Sequence, residues 1–309
     1  MANKIEEQSK LNFGDFVPMS PPIIDENTRW LVGISGGKDS TAVLLWMLHH
    51  SGIDRSKIIC AFSDTGNEHE WTYEHVRKMD RELHPIKWLK SEFDFYELAY
   101  SRKRFPSTKA RFCTQVLKIY PSEDYIKELR YDGFNVISVS GVRADESEDR
   151  SKLGEWDMAG CNVVYPQWRP LINWKIEDVL EIHARHGFPL NPLYDAGAKR
   201  VGCFPCIMSR KAEVRNIALK FPERIDMIRK AEQSFLERYG RYSSFFPRKT
   251  VPERFRSMPY VAKDGETVMV ATIDDVVRWS MTGKLAKGSY KEDPDENEQG
   301  IGCMSGFCE

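Results

Sequence analysis

The feature that most constrains this chain is a short apolar segment followed by a glycine-containing loop and a helical pattern. Residues 30–34 read as a buried strand, and an apolar helical pattern runs from the loop to about residue 50. The loop between them is Ser35-Gly36-Gly37-Lys38-Asp39-Ser40. Paired glycines let the backbone approach an anion, and the N–H groups of a helix start point toward it. The spacing differs from that of the Walker loop, so we expect a different kind of phosphate loop.

Strand and helix patterns alternate through the first half of the chain. Further strands are predicted at residues 57–63, 85–89 and 135–140, with helices at about 68–83 and 121–130. Alternation of this kind predicts an α/β fold, a Rossmann-like parallel sheet with helices on both faces. Right-handed crossovers place the loops that follow the strands along one edge of the sheet.

The pattern changes after about residue 150, where helices dominate. We expect a helical C-terminal extension with helices at about 210–220 and 222–239, and another capped by Thr272. The predicted organisation is an N-terminal arm (1–28), a nucleotide-binding domain (29–210), a mainly helical extension (211–288) and an acidic tail with two cysteines (289–309).

Charge and cysteine content narrow the functional classes. The formal net charge of −1 excludes a basic field over the whole molecule, although not a local basic patch. The polar N-terminus is no secretory signal and no apolar run is long enough to span a bilayer, so we expect a soluble cytoplasmic protein. Seven cysteines in such a chain favour metal ligation or thiol chemistry over a disulfide framework.

The loop and several later motifs together resemble the PAPS (phosphoadenosine phosphosulfate) reductase branch of the adenine-nucleotide alpha-hydrolase superfamily, the PP-loop ATP pyrophosphatases. The resemblance covers about residues 29–210. After the loop, the matching segments are Phe62-Ser63-Asp64-Thr65-Gly66-Asn67-Glu68, Arg111-Phe112-Cys113-Thr114 with Leu117, Lys118 and Pro121, Gly141-Val142-Arg143 with Glu146, Ser147 and Arg150, Pro170-Leu171, Trp174, Asp178-Val179, Asn191-Pro192-Leu193-Tyr194, and Gly202-Cys203 with Cys206.

The resemblance implies a site for an adenine nucleotide, either ATP with Mg²⁺ or PAPS or APS (adenosine phosphosulfate). It implies that the phosphates are bound by Ser35, Gly36, Gly37, Asp39 and Ser40, and that Lys38, Asp39 and Arg143 act in catalysis. Asp64 and Thr65 would contact the adenosine part, and Arg143 and Arg150 a phosphate or sulfate. Two alternatives stay open: Asp64 and Thr65 as a helix cap, and Arg150 as a member of a surface ion-pair cluster.

Three cysteines have the residue type and context of cluster ligands. Cys203 and Cys206 form a Cys-x-x-Cys pair, which chelates zinc or an iron–sulfur cluster or acts as a redox dithiol. The resemblance favours a 4Fe–4S cluster on Cys113, Cys203 and Cys206, with Cys308, Cys303 or a non-protein group as the fourth ligand. The sequence departs from APS reductases, which carry tandem cysteines where this chain has Phe112-Cys113. A zinc knuckle and free thiols are the alternatives.

Three functions follow as hypotheses. The first is ATP-dependent adenylation, with AMP and pyrophosphate as products, coupled to sulfur transfer through an iron–sulfur cluster; here the chain resembles the sulfurtransferase of DNA phosphorothioation systems. The second is a PAPS or APS reductase that releases sulfite by means of a tail cysteine, and the third is a non-catalytic nucleotide sensor. Residues 101–118 contain six basic residues and no acidic residue. This segment predicts contact with an anionic acceptor such as nucleic acid, with Phe105 and Phe112 stacking on bases. The alternative is a solvated loop that faces the acidic tail. A sulfur-donor protein and a homo-oligomer are further possible partners.

Overall fold

A six-stranded sheet lies at the centre of the protein. The computed structural model describes residues 23–246, 251–261 and 265–283. The strands of this sheet are β1 (Thr28–Ile34), β2 (Ile58–Asp64), β3 (Ile86–Lys90), β4 (Asn135–Val139), β5 (Trp156–Ala159) and β6 (Tyr165–Trp168). Their order is β3-β2-β1-β4-β6-β5, and β5 alone runs antiparallel to its neighbour. The predicted α/β fold with a mostly parallel sheet is confirmed.

Helices cover the sheet on both faces. The described helices are α1 (Lys38–His49), α2 (Glu70–Glu82), α3 (Phe95–Ser101), α4 (Phe112–Thr114), α5 (Tyr120–Tyr131), α6 (Glu148–Ser151), α7 (Ile176–Arg185), α8 (Lys211–Lys220), α9 (Pro222–Tyr239) and α10 (Ile273–Ser280). Along β1, Trp30 and Val32 pack with α1, α2 and α7, whereas Leu31 packs with α5 on the other face. Both faces of the central strand are therefore buried, which explains why its sequence is apolar without alternation.

The order of the strands reverses at β1. β1 pairs with β2 on one side and with β4 on the other, and all three run parallel. The loops that follow β1 and β4 therefore leave the sheet next to each other, at the kind of switch point where open α/β sheets bind ligands. Residues 35–40 and 141–143 occupy these two loops.

The C-terminal part packs on the first part through a shared hydrophobic cluster. The cluster joins Leu98, Phe105 and Leu117 to side chains of α8, α9 and α10, such as Ile217, Ile228 and Val276. An antiparallel hairpin of β7 (Met258–Val261) and β8 (Thr267–Val270) precedes α10, and the expectation of a mainly helical extension did not include it. No described helix has the length and apolar character needed to cross a membrane.

Candidate active site

The phosphate loop turns tightly between β1 and α1. Gly36 has a φ of +78°, and a Cβ there would lie 3.0 Å from the Cγ2 atom of Thr72. Gly37 caps the N-terminus of α1, and its N–H donates to the Ser35 hydroxyl at 3.2 Å. The hydroxyl oxygens of Ser35 and Ser40 lie 2.9 Å apart. The predicted anion-binding residues therefore lie together at a helix start, where the helix dipole favours negative charge.

Residues more than 140 positions downstream hold the backbone of this loop. Asn191 donates its side-chain N–H to the Gly36 carbonyl oxygen at 3.1 Å. The Lys38 N–H donates to the Tyr194 hydroxyl at 3.0 Å, and the His183 Nε2 atom lies 2.9 Å from the Lys38 carbonyl oxygen. The Asn191–Tyr194 motif thus braces the loop, a role that its sequence did not reveal. His183 in α7 belongs to the same brace.

A buried carboxylate joins two cations at the start of α1. Asp39 is 1% exposed, and its two oxygens contact Lys38 Nζ at 2.6 Å and Arg143 Nε at 2.5 Å. Burial alone lowers the pKa of Arg143, but the charge of Asp39 and the hydrogen bond to it raise that pKa overall. Gly141 allows the approach, because a Cβ there would collide with the Asp39 carbonyl oxygen. The three residues predicted to act in catalysis therefore form one cluster.

This arrangement suits a magnesium nucleotide. Mg²⁺ in nucleotide sites is held by one or two carboxylates together with the phosphates of the substrate. Asp39 supplies one carboxylate, and each carboxylate oxygen can accept more than one contact. The donor set at the loop thus fits Mg²⁺ bound mainly through a nucleotide.

The end of β2 carries a second polar network. Thr65 donates through its hydroxyl and its N–H to the two carboxylate oxygens of Glu68, at 2.7 and 3.1 Å. Asp64 accepts from the Gly66 N–H at 2.9 Å and from the Tyr73 hydroxyl at 2.8 Å. The helix-cap alternative is wrong, because His69 caps α2 by accepting from a backbone N–H. Asp64 and Thr65 instead shape the turn at the carboxyl end of the sheet.

Arg150 supports the loop that carries Arg143. Its guanidinium pairs with Glu146, and the same Glu146 oxygen accepts from the Arg143 N–H at 2.9 Å. Arg150 is only 6% exposed, so it does not belong to a solvated surface cluster. Direct contact between Arg150 and a phosphate or sulfate stays a prediction.

Residues 203–206, here called the cysteine turn, are fixed to the end of β2. The Phe204 N–H donates to the Asn67 carbonyl oxygen at 2.7 Å, and the Asn67 side chain donates to the Pro205 carbonyl oxygen at 2.9 Å. The Cys203 sulfur lies 3.5 Å from the Thr65 hydroxyl oxygen and 3.8 Å from a Glu68 carboxylate oxygen. One predicted cysteine therefore lies beside the predicted nucleotide-contacting turn.

Cys203 and Cys206 line a small cavity of about 40 Å³ together with two cationic side chains, Lys118 and Arg200. Lys118 lies in a π-helical turn, Gln115–Ile119, of a kind often found at functional sites. Cys113 precedes this turn and is half-buried against the hydrophobic cluster. Soft thiolates and nearby positive charge suit thiol or metal chemistry.

The described residues do not support the predicted cluster. In residues 23–246, 251–261 and 265–283, no three His, Cys, Asp or Glu side chains are placed together so as to hold a metal ion. Cys113 is not among the residues that line the cavity of Cys203 and Cys206. Cys303 and Cys308, the candidate fourth ligands, lie outside the described residues. Cys203 and Cys206 share a cavity, but the described residues do not add a third thiolate to them.

Arg224 is a site residue that the sequence analysis missed. It lies near the start of α9 and is 5% exposed. Its guanidinium donates to the carbonyl oxygens of Glu68 and Phe204, at 3.2 and 3.4 Å, and pairs with Glu70 at 2.7 Å. A lone arginine on a predicted helix gives no sequence signal of such a role. Arg224 ties the cysteine turn to the turn after β2.

The basic segment 101–118 is exposed only in part. Arg102, Lys103 and Arg104 are exposed, as predicted for contact with an anion. Phe105 is 3% exposed and packs against Phe235. The expectation that Phe105 stacks on bases is wrong, because the hydrophobic cluster encloses its ring.

Comparison with known proteins agrees with this geometry. The profile of the phosphoadenosine phosphosulfate reductase domain matches residues 29–209. The chain is 32% identical over 280 residues to an uncharacterised 37.8 kDa protein of Escherichia phage 186, and the match covers 74% of this chain and 82% of that protein. It is 28% identical over 154 residues to an adenosine 5′-phosphosulfate reductase of Bacillus thuringiensis, with 48% of this chain and 61% of that protein covered.

An uncharacterised protein of Methanocaldococcus jannaschii is 29% identical over 193 residues, and the match covers 62% of this chain and 39% of that protein. The chain thus spans less than two thirds of the methanogen and Bacillus relatives. A solved PAPS reductase from Candida auris superposes with a TM-score of 0.44 at 20% identity, over 59% of this chain and 83% of that chain. The profile matches more than half of the sequence, and the chain belongs to the phosphoadenosine phosphosulfate reductase domain family.

Proposed function

We propose that the chain is an ATP-dependent enzyme that adenylates an oxygen of an anionic acceptor and then exchanges that oxygen for sulfur. The observation that carries the nucleotide step is the buried Asp39 carboxylate at the start of α1, bound to Lys38 and Arg143. A carboxylate at a phosphate site suits a magnesium triphosphate, because the metal ion and the two cations offset its charge. Membership in a family of nucleotide-binding enzymes supports the same step.

In this proposal, the N–H groups of the phosphate loop bind the β- and γ-phosphates. An acceptor oxygen attacks the α-phosphorus, and pyrophosphate leaves. Lys38 and Arg143 offset the negative charge that develops on the phosphate oxygens, and Asp39 keeps both cations in place without reorganisation during the reaction. Asp39 and the phosphates would hold Mg²⁺, which would supply further charge neutralisation when bound.

A sulfur donor at the oxidation level of hydrosulfide then displaces AMP from the adenylated acceptor. The acceptor carbon or phosphorus loses its bond to the adenylated oxygen and gains a bond to sulfur, so the products are AMP and a thiolated acceptor. No external oxidant or reductant is needed. The Cys203 thiol lies beside the turn of Thr65 and Glu68, which supports the approach of the donor from this side.

The second candidate is a sulfonucleotide reductase. Two observations favour it: a relative named adenosine 5′-phosphosulfate reductase, and the position of the Cys203 sulfur 3.5 Å from the Thr65 hydroxyl. In this reaction a thiol of Cys303 or Cys308, the predicted nucleophile, would attack the sulfonate sulfur and displace AMP or its 3′-phosphate. A second thiol, supplied by an external dithiol reductant, would then release sulfite and leave a disulfide.

An anaerobic incubation separates the two candidates. The protein is supplied with ATP, PAPS or APS, together with sulfide and mixed oligonucleotides, and the products are separated by ion exchange. We expect AMP and pyrophosphate from ATP, and no product from the Asp39→Asn variant. Sulfite released from PAPS or APS, with no pyrophosphate from ATP, would overturn the first candidate in favour of the second.

The cluster predicted from Cys113, Cys203 and Cys206 needs its own test. Iron, acid-labile sulfide and zinc are measured in protein purified anaerobically, for the wild type, Cys203→Ser and the exposed control Cys161→Ser. A 4Fe–4S cluster predicts brown protein that Cys203→Ser bleaches and Cys161→Ser does not. Colourless protein with stoichiometric zinc and no iron would leave a zinc knuckle.

A further inference from the structure

Two segments without acidic residues meet on one surface of the protein. Residues 98–122 and 238–252 contain no Asp or Glu. The described residues of the two segments include six exposed cations, here called the basic face: Arg102, Lys103, Arg104, Lys109, Arg238 and Arg241. The sequence analysis identified only the basic residues of 101–118. In the folded protein the end of α9, with Arg238, lies beside them.

Hydrogen bonds fix the two segments to each other. Arg241 donates to the Lys103 carbonyl oxygen at 2.8 Å, and the Tyr239 hydroxyl donates to the Tyr100 carbonyl oxygen at 3.0 Å. Beneath them the Phe105 N–H donates to the Ser243 hydroxyl at 3.0 Å. The spacing of the cations is therefore set by the fold and does not depend on a flexible loop.

Three cations of the basic face lie over aromatic rings. The Arg238 guanidinium lies 4.7 Å from the centre of the Tyr100 ring. Lys103 lies 5.9 Å from the Tyr239 ring, and Arg104 lies 5.6 Å from the Phe112 ring. Guanidinium planes and aromatic rings are the surfaces on which unpaired bases stack.

Within the part of the chain that the structure describes, no ion pair neutralises the charge of the basic face. Among the described residues, none of the six cations forms an ion pair; the nearby Glu237 accepts from Gln233, and Glu97 closes the capping box of α3. Lys103 has a φ of +56°, a conformation that lysine adopts at a cost and glycine adopts freely. A positive charge is thus kept where the backbone alone would favour glycine.

We propose that the basic face binds the backbone of a single-stranded nucleic acid. This deepens the proposed function, because it gives the chemical class of the acceptor. The repeated cations match the spaced charges of a phosphate backbone, and the stacked rings and guanidinium groups match bases more closely than they match the carboxylates of an acidic protein. The segment continues from the basic face to Lys118, whose side chain lines the cavity of Cys203 and Cys206.

Binding of a fluorescent oligonucleotide, measured by anisotropy over a range of salt concentrations and without ATP, tests the proposal. For Lys103→Gln/Arg238→Gln we expect roughly tenfold weaker binding and a slope of log K against log salt that is smaller by about 1.4, since each lost phosphate contact removes about 0.7. The control is Lys127→Gln/Arg185→Gln, which removes the same charge from exposed ion pairs elsewhere. An unchanged slope in the first variant, or an equal change in the control, would overturn the proposal.

The variant Lys103→Gly separates binding from folding. We expect it to weaken binding several-fold while its thermal midpoint stays the same or rises, because glycine relieves the strained backbone. Weaker binding together with a lower midpoint would indicate a structural role and count against the proposal. Tighter binding of duplex DNA or of polyglutamate would overturn the assignment of a single strand. Because ATP is absent, loss of this inference leaves the adenylation test unaffected.

Discussion

The phosphate loop and the cysteine turn lie at the ends of neighbouring strands, but they are assembled differently. In the loop, six consecutive residues supply the amides, the hydroxyls and the charges of Lys38 and Asp39. Arg143 adds one further charge, and the other distant residues hold the backbone. In the cysteine turn, the two thiols belong to one Cys-x-x-Cys motif. Their positions are fixed by Asn67 and Arg224, which lie on other elements of the fold. A chemical site contained in one motif is readable from sequence, whereas a site assembled from distant elements is readable only in part.

The largest expected effect concerns the loop itself. Asp39→Asn removes the charge that holds Lys38 and Arg143, and we expect the rate of pyrophosphate release from ATP to fall by roughly 10²–10³. The matched control is Asp145→Asn, since Asp145 also pairs with Arg143 but is far more exposed; we expect it to lose less than tenfold. Circular dichroism checks that both variants fold. Equal losses in the two variants would show that the buried carboxylate has no special role.

Two buried side chains, His75 near the phosphate loop and Glu232 in α9, make the stability of the protein depend on pH in opposite directions. Near the loop, burial, with smaller contributions from His183 and Lys78, lowers the pKa of His75 from 6.5 to about 4. Between these values the unfolded chain binds a proton that the folded chain does not. The stability contributed by neutral His75 is therefore complete above about pH 6.5 and is lost as the pH falls toward 4.

The stability contributed by Glu232 in α9 changes with pH in the opposite direction. Burial raises its pKa from 4.5 to about 7, even though the Tyr242 hydroxyl and the N–H groups of Phe245 and Ile273 donate to it. The folded chain then binds a proton that the unfolded chain has lost. The corresponding stability is complete below about pH 4.5 and is lost as the pH rises toward 7.

Two variants separate these contributions. We expect His75→Gln to flatten the loss of stability at acid pH, and Glu232→Gln to flatten the loss toward neutral pH, each by up to about 3 kcal/mol because one pKa unit corresponds to about 1.4 kcal/mol. Urea unfolding at a series of pH values from 4 to 8 measures both. Parallel profiles for the two variants would contradict the opposite signs.

Much of the fold could be predicted because its determinants are local. Strands β1, β2 and β4 are apolar runs without alternation, as expected of strands buried on both faces, and α9 begins at Pro222 and ends at Gly240. The hairpin of β7 and β8 was missed, because its two strands are only four residues long and lack a clear alternation of apolar and polar residues. The burial of Phe105 was missed because its partners, Phe235 and Phe245, lie more than 120 residues away.

The candidate site divides in the same way. Ser35 to Ser40 and Arg143 were found because residue type and position after a strand already indicate a phosphate site. Tyr194 and Arg224 gave no comparable signal, since a single hydroxyl or guanidinium acquires a role only from what the fold places beside it. A shared site for Cys113, Cys203 and Cys206 was inferred from the Cys-x-x-Cys spacing together with the resemblance. The described residues bring only Cys203 and Cys206 to one cavity.

The smallest expected effect tests whether Arg224 positions the cysteine turn. Arg224→Gln removes hydrogen bonds to the carbonyl oxygens of Glu68 and Phe204 and leaves both buried, so we expect a loss of about 2 kcal/mol of stability. Looser attachment also exposes the thiols, so a thiol reagent followed by mass spectrometry should label Cys203 and Cys206 several-fold faster. Labelling of Cys161, which is distant in sequence and already exposed, should not change.

Arg224→Lys and Arg229→Gln complete this test. Lysine keeps the charge opposite Glu70 but lacks the planar fork that reaches two carbonyl oxygens, so its labelling rate should lie between those of the wild type and Arg224→Gln. Arg229, on the same helix, forms exposed ion pairs with Asp226 and Asp274, and its loss should cost at most about 1 kcal/mol without changing the labelling of either cysteine. If Arg224→Gln loses stability but labels at the wild-type rate, Arg224 supports the fold without positioning the thiols, and the cysteine turn is held by Asn67 alone.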